Sequence, residues 1–176
     1  MRGSPSGWGA RWPALAVAGA LTAACATPVT REAERWHVRD GSASIADLAA
    51  LEPGWERIAS AGALLAFRTA TGGRAAWVHQ CRGASAAARA EAHALLVRLE
   101  GAEVEREGPV ELAGREAWSV VASALEGGRR VAVKSVTRVS ARGCTDDFLL
   151  VAPEGFAALE PGFDRWWASF ADEAPA

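Results

Sequence analysis

The sequence predicts an α+β domain: a central antiparallel sheet of about five to six strands flanked by helices. Three observations carry that prediction. Residues 115–151 hold three strand-like runs separated by glycine turns, residues 85–101 hold the clearest helical pattern, and large aromatics recur at helical spacing over 163–170. Strands in antiparallel groups, with helices lying on them, make a layered α+β arrangement.

The elements follow in order. "SIADLAAL" (Ser44–Leu51) predicts a short helix capped by Ser44, with Asp47 in a capping-box place. "EPGW" then ends it. "GALLAFRT" (Gly62–Thr69) and "AAWVHQC" (Ala75–Cys81) predict two strands, and the glycine turn "ATGGR" between them predicts a hairpin. Side chains alternate along a strand. Leu65 and Phe67 therefore share one face of the first strand, and Trp77, His79 and Cys81 share one face of the second.

"SAAARAEAHALLVRLEG" predicts a helix from an N-cap at Ser85 to a stop at Gly101. Ala88, Ala92, Leu95 and Leu99 form its apolar stripe, while Arg89, Glu91 and Arg98 reach solvent. Three strands follow, at about Arg115–Leu125, Arg130–Val139 and Cys144–Val151. Gly127-Gly128 is a two-residue hairpin signal, and Arg142-Gly143 marks the second turn. The alternation of Trp118, Val120 and Ala122 with Ser119, Val121 and Ser123 predicts a meander with one face covered. The closing helix carries Phe163, Trp166, Trp167 and Phe170, with Pro161 in its first turn. Each of those aromatics buries roughly 150–250 Å² when packed. Residues 173–176 are expected to fray.

The amino end has a different character. Arg2 and Arg11 are the only charges before residue 31, and thirteen uncharged residues separate Arg11 from Cys25. A basic start, a short apolar core and small residues before a cut make a secretory signal. The apolar run falls short of the ~20 residues that span a bilayer. "LTAAC" (Leu21–Cys25) resembles the lipobox of bacterial lipoproteins, with Thr22 where that family most often has leucine. The resemblance implies cleavage after Ala24 and acylation of Cys25. An ordinary secretory signal cut after Ala24 or Ala26, with Cys25 incidental, and a retained membrane anchor are the alternatives. The expected organisation is a lipoprotein signal peptide (1–24), a lipidated tether (25–35) and one domain (36–172).

Removing 1–24 leaves 152 residues, enough for one domain with a proper core. It also leaves 17 Lys and Arg against 21 Asp and Glu, a net charge of −4. Nothing in that balance argues for nucleic-acid binding, which asks for a concentrated basic patch. Cys81 and Cys144 are then the remaining sulfurs. An even pair in an oxidising compartment predicts a disulfide, and two buried free thiols are the alternative. Such a bridge closes a loop of roughly 60 residues, which the chain-entropy account values at about 4 kcal/mol.

No residue set predicts catalysis, a metal or a cofactor. "TATGGRAAW" lacks the Gly-Lys-Ser/Thr ending of a phosphate loop, and no G-x-S-x-G occurs. His37 lies near the tether, and His93 shares a helix side with Arg89. His79 on its strand reads as a hydrogen-bonded structural residue. It stands two residues before Cys81, but no second paired ligand set accompanies it. Asp146 and Asp147 are neighbours on a strand, so they point to opposite faces. An enzyme would need His79 to converge with one of them in a cleft. Trp166 and Trp167 are the candidate contact surface. Adjacent tryptophans on a helix cannot both face the core, so one is expected to be partly exposed.

The run from "GWERI" through "ALLAFRTATGGRAAWVHQC", the helix, "ELAGREAWSVVASALEGGRRVAVKSVTRVSARGCTDDFLLVAP" and "FDRWWASF" resembles PsbP-like bacterial lipoproteins over about residues 36–171. The resemblance implies a PsbP-like α/β/α sandwich. Its plant-type members are accessory subunits of a membrane complex. No manganese or photosystem role carries over to this chain. The expected function is a lipid-anchored, non-enzymatic envelope domain on the cell membrane or outer membrane, facing the periplasm and partnered by an envelope protein. A small-ligand or lipid carrier, with a groove between the sheet and the C-terminal helix, is the alternative.

Overall fold

The computed structural model of the chain describes residues 29–39, 42–81, 87–140 and 143–172. The signal peptide, Cys25, the Ser85 cap and residues 173–176 lie outside the described residues.

The fold is α+β and antiparallel throughout, with more strand than the sequence predicts. A seven-stranded sheet runs β4 (Trp55–Ile58), β5 (Leu65–Thr69), β6 (Arg74–Cys81), β10 (Cys144–Ala152), β9 (Arg129–Val139), β8 (Arg115–Glu126), β7 (Glu100–Leu112). A second, four-stranded sheet runs β1 (Val29–Glu32), β2 (Arg35–Val38), β3 (Ala43–Ala46), β11 (Ala171–Asp172). Helix α1 covers Leu48–Leu51, α2 Ala88–Leu96 and α3 Phe156–Ala168.

The β5–β6 hairpin and the β8–β9–β10 meander form where the pattern places them. The β8–β9 turn is Gly127-Gly128, with φ of +58° and +78°. A two-residue turn whose twist matches the strands needs positive φ at both positions, which glycine adopts without steric cost.

Several expectations are corrected. Residues 29–32 of the expected tether are β1, paired with β2 from Val29↔Val38 to Glu32↔Arg35, so the folded region begins before Trp36. The stretch 43–46 is strand rather than helix, because Ile45 and its neighbours pair with β2 and pack into the core. The cap is Asp47, whose Oδ1 accepts from the Ala49 N–H at 3.1 Å. The buried positions of α2 are Ala88, Ala92 and Leu96, with Leu95 half-exposed. Gly101 lies in β7 instead of ending that helix.

Strand β7 has no counterpart among the predicted elements. It is the sheet's edge, its side chains are mostly exposed, and it carries five glutamates and Pro109. An edge strand protected by charge and proline shows no apolar alternation to read. Pro161 lies inside α3 rather than in its first turn, because the helix starts at Phe156. Proline there removes an intrahelical donor. Gly162 beside it is buried against α1's end, where a Cβ would stand 2.9 Å from Glu52 Cγ.

The small sheet, α1 and α3 cover one face of the large sheet, and α2 covers part of the other. The main core lies under α3. Phe148 meets Trp166 and Phe170 edge-on at 5.8 and 5.5 Å, and lies parallel to Trp77 at 6.0 Å. Trp166 is wholly buried, and its Nε1 donates to the Ala46 carbonyl at 3.0 Å. The chain's one lysine, Lys134 on β9, ties α3 down through Glu160 at 2.8 Å and Asp164 at 2.6 Å.

Trp166→Ala is expected to lower unfolding free energy by about 3–5 kcal/mol, as for other buried aromatics. Trp167→Ala, at a half-exposed position, is expected to cost about 1 kcal/mol. Urea denaturation followed by circular dichroism measures both, and equal losses would contradict the assignment of Trp166 as the buried member.

Candidate functional site

The densest polar chemistry lies at one end of the two central strands. The β6–β10 register sets Cys81 opposite Cys144, His79 opposite Asp146 and Trp77 opposite Phe148. Alternation along each strand turns all six side chains to the face covered by the small sheet. Cys81 and Cys144 are joined as a disulfide, with Cα atoms 4.0 Å apart. Cys144 is buried and Cys81 exposed.

Beside the disulfide, His79 Nε2 lies 3.3 Å from Cys81 Sγ, and its Nδ1 lies 2.8 Å from Asp146 Oδ1. Asp146 is 1 % exposed. Its Oδ1 also accepts from Trp77 Nε1 at 3.1 Å, and its Oδ2 accepts from Arg138 Nη2 at 3.3 Å. Arg138, on β9 and 2 % exposed, grips Asp172 two-pronged at 2.7 and 2.6 Å and lies 4.7 Å over the Phe170 ring. A buried guanidinium is thus shared between two carboxylates, and the chain's closing strand β11 is held over it.

Asp147 points to the opposite face, as alternation requires, and accepts from Thr137 Oγ1 at 2.7 Å. His93 does not join the site. It lies 2.6 Å from Glu107, which also accepts from Arg89 and Trp118 and so binds α2 to the sheet. Trp166 is core and so leaves the candidate contact surface. Trp167 is the partly exposed member of the pair, with Nε1 donating to Asp164 Oδ1 at 2.8 Å.

No protein-family model matches the chain, and no curated protein matches it. Solved structures do. The cyanobacterial PsbP (CyanoP) of Synechocystis sp. PCC 6803 superposes with a TM-score of 0.55 at 14% identity, over 88% of this chain and 98% of that one. LpqN of Mycobacterium tuberculosis, described as involved in cell envelope biogenesis, superposes with a TM-score of 0.52 at 14% identity, over 70% of this chain and 80% of that one. The fold is PsbP-like.

On this PsbP-like frame, His79, Cys81, Cys144 and Asp146 meet, although the sequence offers no ligand motif for them. Two signals in the sequence bear on it: His79 and Cys81 share a strand face, and Cys144 and Asp146 share another. Only the pairing of β6 with β10, 63 residues apart at the cysteines, brings the two faces together. Among the described residues, His79, Cys81 and Cys144 are the group whose ligand atoms all lie within 4.8 Å of one another. Arg138 and Asp172 carry no sequence signal, because neither belongs to a motif and a lone arginine on a strand reads as solvated.

The hydrogen bonds from Arg138 hold the Asp172 carboxyl below its ordinary range, more than burial raises it. At Glu160, burial pushes upward but the hydrogen bonds from Lys134 and Arg106 outweigh it, so its carboxyl is also lowered. A carboxyl lowered by folding stabilises the native state above the unfolded value of about 4. That stabilisation is lost as pH falls through the lower folded value. The unfolding free energy is therefore expected to decline below about pH 4, and less steeply in Asp172→Asn, as urea titrations over acid pH would measure. Arg138→Leu leaves Asp146 buried without its cation and is expected to cost about 3–5 kcal/mol at neutral pH.

Proposed function

We propose that this chain is a lipid-anchored, non-enzymatic protein of the cell envelope, serving as an accessory or protein-binding domain. Acylated Cys25 holds it on the cell membrane or outer membrane, with the domain facing the periplasm. The observation that carries this reading is the amino end: two arginines, thirteen uncharged residues and small residues before Cys25. A single acyl chain anchors weakly, and several on one cysteine hold firmly without a spanning helix. Among the described residues no helix is long and apolar enough to cross a membrane.

Two features support the reading. LpqN, which shares the fold, is described as involved in cell envelope biogenesis. The Cys81–Cys144 bridge suits a compartment where disulfides persist. Against an enzyme, the His79–Asp146 pair faces a disulfide sulfur, not the thiol or hydroxyl that nucleophilic catalysis uses. Against a carrier, Trp166, Phe163 and Phe170 fill the space beneath α3 where a groove would have to lie.

Expression of the full chain in a Gram-negative host, followed by membrane fractionation and mass spectrometry, tests the proposal. Wild type is expected in the membrane fraction with its mature amino terminus at an acylated Cys25. Cys25→Ala is expected in the soluble fraction. Identical distribution of the two, or an unmodified Cys25 with residues 1–24 still attached, would refute it.

A further inference from the structure

We infer that reduction of the Cys81–Cys144 disulfide turns the same three side chains, Cys81, Cys144 and His79, into a binding site for one thiophilic d10 metal ion of the zinc and copper(I) class, with Asp146 orienting the histidine.

The donor set is already assembled. The two sulfurs and a histidine ring nitrogen lie within 4.8 Å of one another. They stand on two adjacent, hydrogen-bonded strands, so their separation is set by the sheet rather than by a loop. The histidine is aimed. A carboxylate offers only acceptors. The 2.8 Å contact of Nδ1 with Asp146 therefore places a ring proton on Nδ1, and Nε2 faces Cys81 Sγ at 3.3 Å. That is the usual dress of a metal-binding histidine, whose far nitrogen donates to a carboxylate that fixes ring and tautomer. Asp146 is itself held by Trp77 and Arg138, and Arg138 by Asp172. Trp77, Asp146 and Arg138 are all buried, so the support that orients the histidine is built into the fold.

The spacing also fits. A tetrahedral ion with metal–sulfur bonds of about 2.3 Å and metal–nitrogen bonds of about 2.0–2.1 Å holds its sulfurs roughly 3.8 Å apart and a sulfur and nitrogen roughly 3.5 Å apart. Opening the disulfide lets the sulfurs move from bonded to contact distance, close to that first value. His79 Nε2 already stands 3.3 Å from Cys81 Sγ. Two thiolates and an imidazole suit thiophilic ions and not calcium or magnesium. Cys81 is exposed, which gives the ion a way in and leaves its fourth position to water or a partner's donor atom.

The redox step balances with a dithiol reductant. It gives two electrons and two protons to the disulfide, leaving two thiols here and a disulfide on the reductant. Metal binding then displaces the two thiol protons. Bridge and metal exclude one another, so the centre holds either a sulfur–sulfur bond or an ion. The inference stands independently of the anchor at Cys25.

The test uses the full chain in both redox states. Protein reduced with a phosphine and kept anaerobic is titrated with Zn²⁺, and separately with Cu⁺, against a chromophoric chelator. Reduced wild type is expected to bind one equivalent, and the oxidised protein none at the same chelator concentration. Co²⁺ in its place is expected to show thiolate-to-metal charge transfer, which Cys81→Ser and Cys144→Ser lose. Asp146→Asn is expected to weaken binding about 10–100-fold, and His79→Gln at least as much. His79→Gln keeps both cysteines, and its intact disulfide in the oxidised form reports correct folding. Reduced wild type that binds no better than oxidised protein overturns the inference. So does binding by His79→Gln equal to wild type, or a reduced chain that unfolds and is not restored by either ion. Preference for Zn²⁺ or Cu⁺ identifies the ion within the class.

Discussion

The pairing of β6 with β10 is the constraint on which the rest of the structure depends. Each strand belongs to a local unit, the β5–β6 hairpin and the β7–β10 meander, and this one ladder joins the two into a single sheet. Its register stacks Trp77 on Phe148, sets His79 against Asp146 and joins Cys81 to Cys144. A slip of one residue would send each of these side chains of one strand to the opposite face. The disulfide removes that freedom at one end of the ladder, and the aromatic pair resists it in the middle.

What lies above the ladder follows from it. Phe148 and Trp77 offer an aromatic surface that Trp166 and Phe170 meet edge-on, the arrangement ring quadrupoles favour. α3 is thus fixed by its aromatics from below, by Lys134 through Glu160 and Asp164, and at its end by Trp166 Nε1 on the Ala46 carbonyl. Arg138 then closes the structure by holding Asp172 and underlying Phe170. The buried pair that Arg138 makes with Asp146 adds little net stability once desolvation is counted. Its consequence is positional. It fixes the last strand, and it fixes Asp146, which in turn fixes the His79 ring.

The parts legible in the sequence were those whose signal is local. The β5–β6 hairpin, the three meander strands and the aromatic face of α3 each announce themselves by period and by turn residues within a dozen positions. The expected pairing of Cys81 with Cys144 came from counting sulfurs. What escaped was decided by neighbours distant in sequence. Ser44-Ile45 looks helical beside "ADLAAL" but is captured as strand by β2 on one side and β11 on the other. Glu-rich β7 has no apolar rhythm, yet β8 offers it a full edge of backbone partners. Pro161 reads as a first-turn residue, but packing of Phe156 and Leu159 against the core starts α3 earlier.

By itself the sequence determined the class of fold, the order of most elements, the side of each strand that carries its chemistry and the sulfur pair available to be joined. Periodicity and turn chemistry are properties of neighbouring residues, and they survive without knowledge of the fold. Only the tertiary structure decided which faces meet. Whether His79 stands alone or completes a cluster with Cys144 and Asp146 depends on the ladder formed between β6 and β10, and no pattern within either strand encodes that register. The physical reason is that such a pairing is selected by burial of a core whose residues lie far apart in sequence.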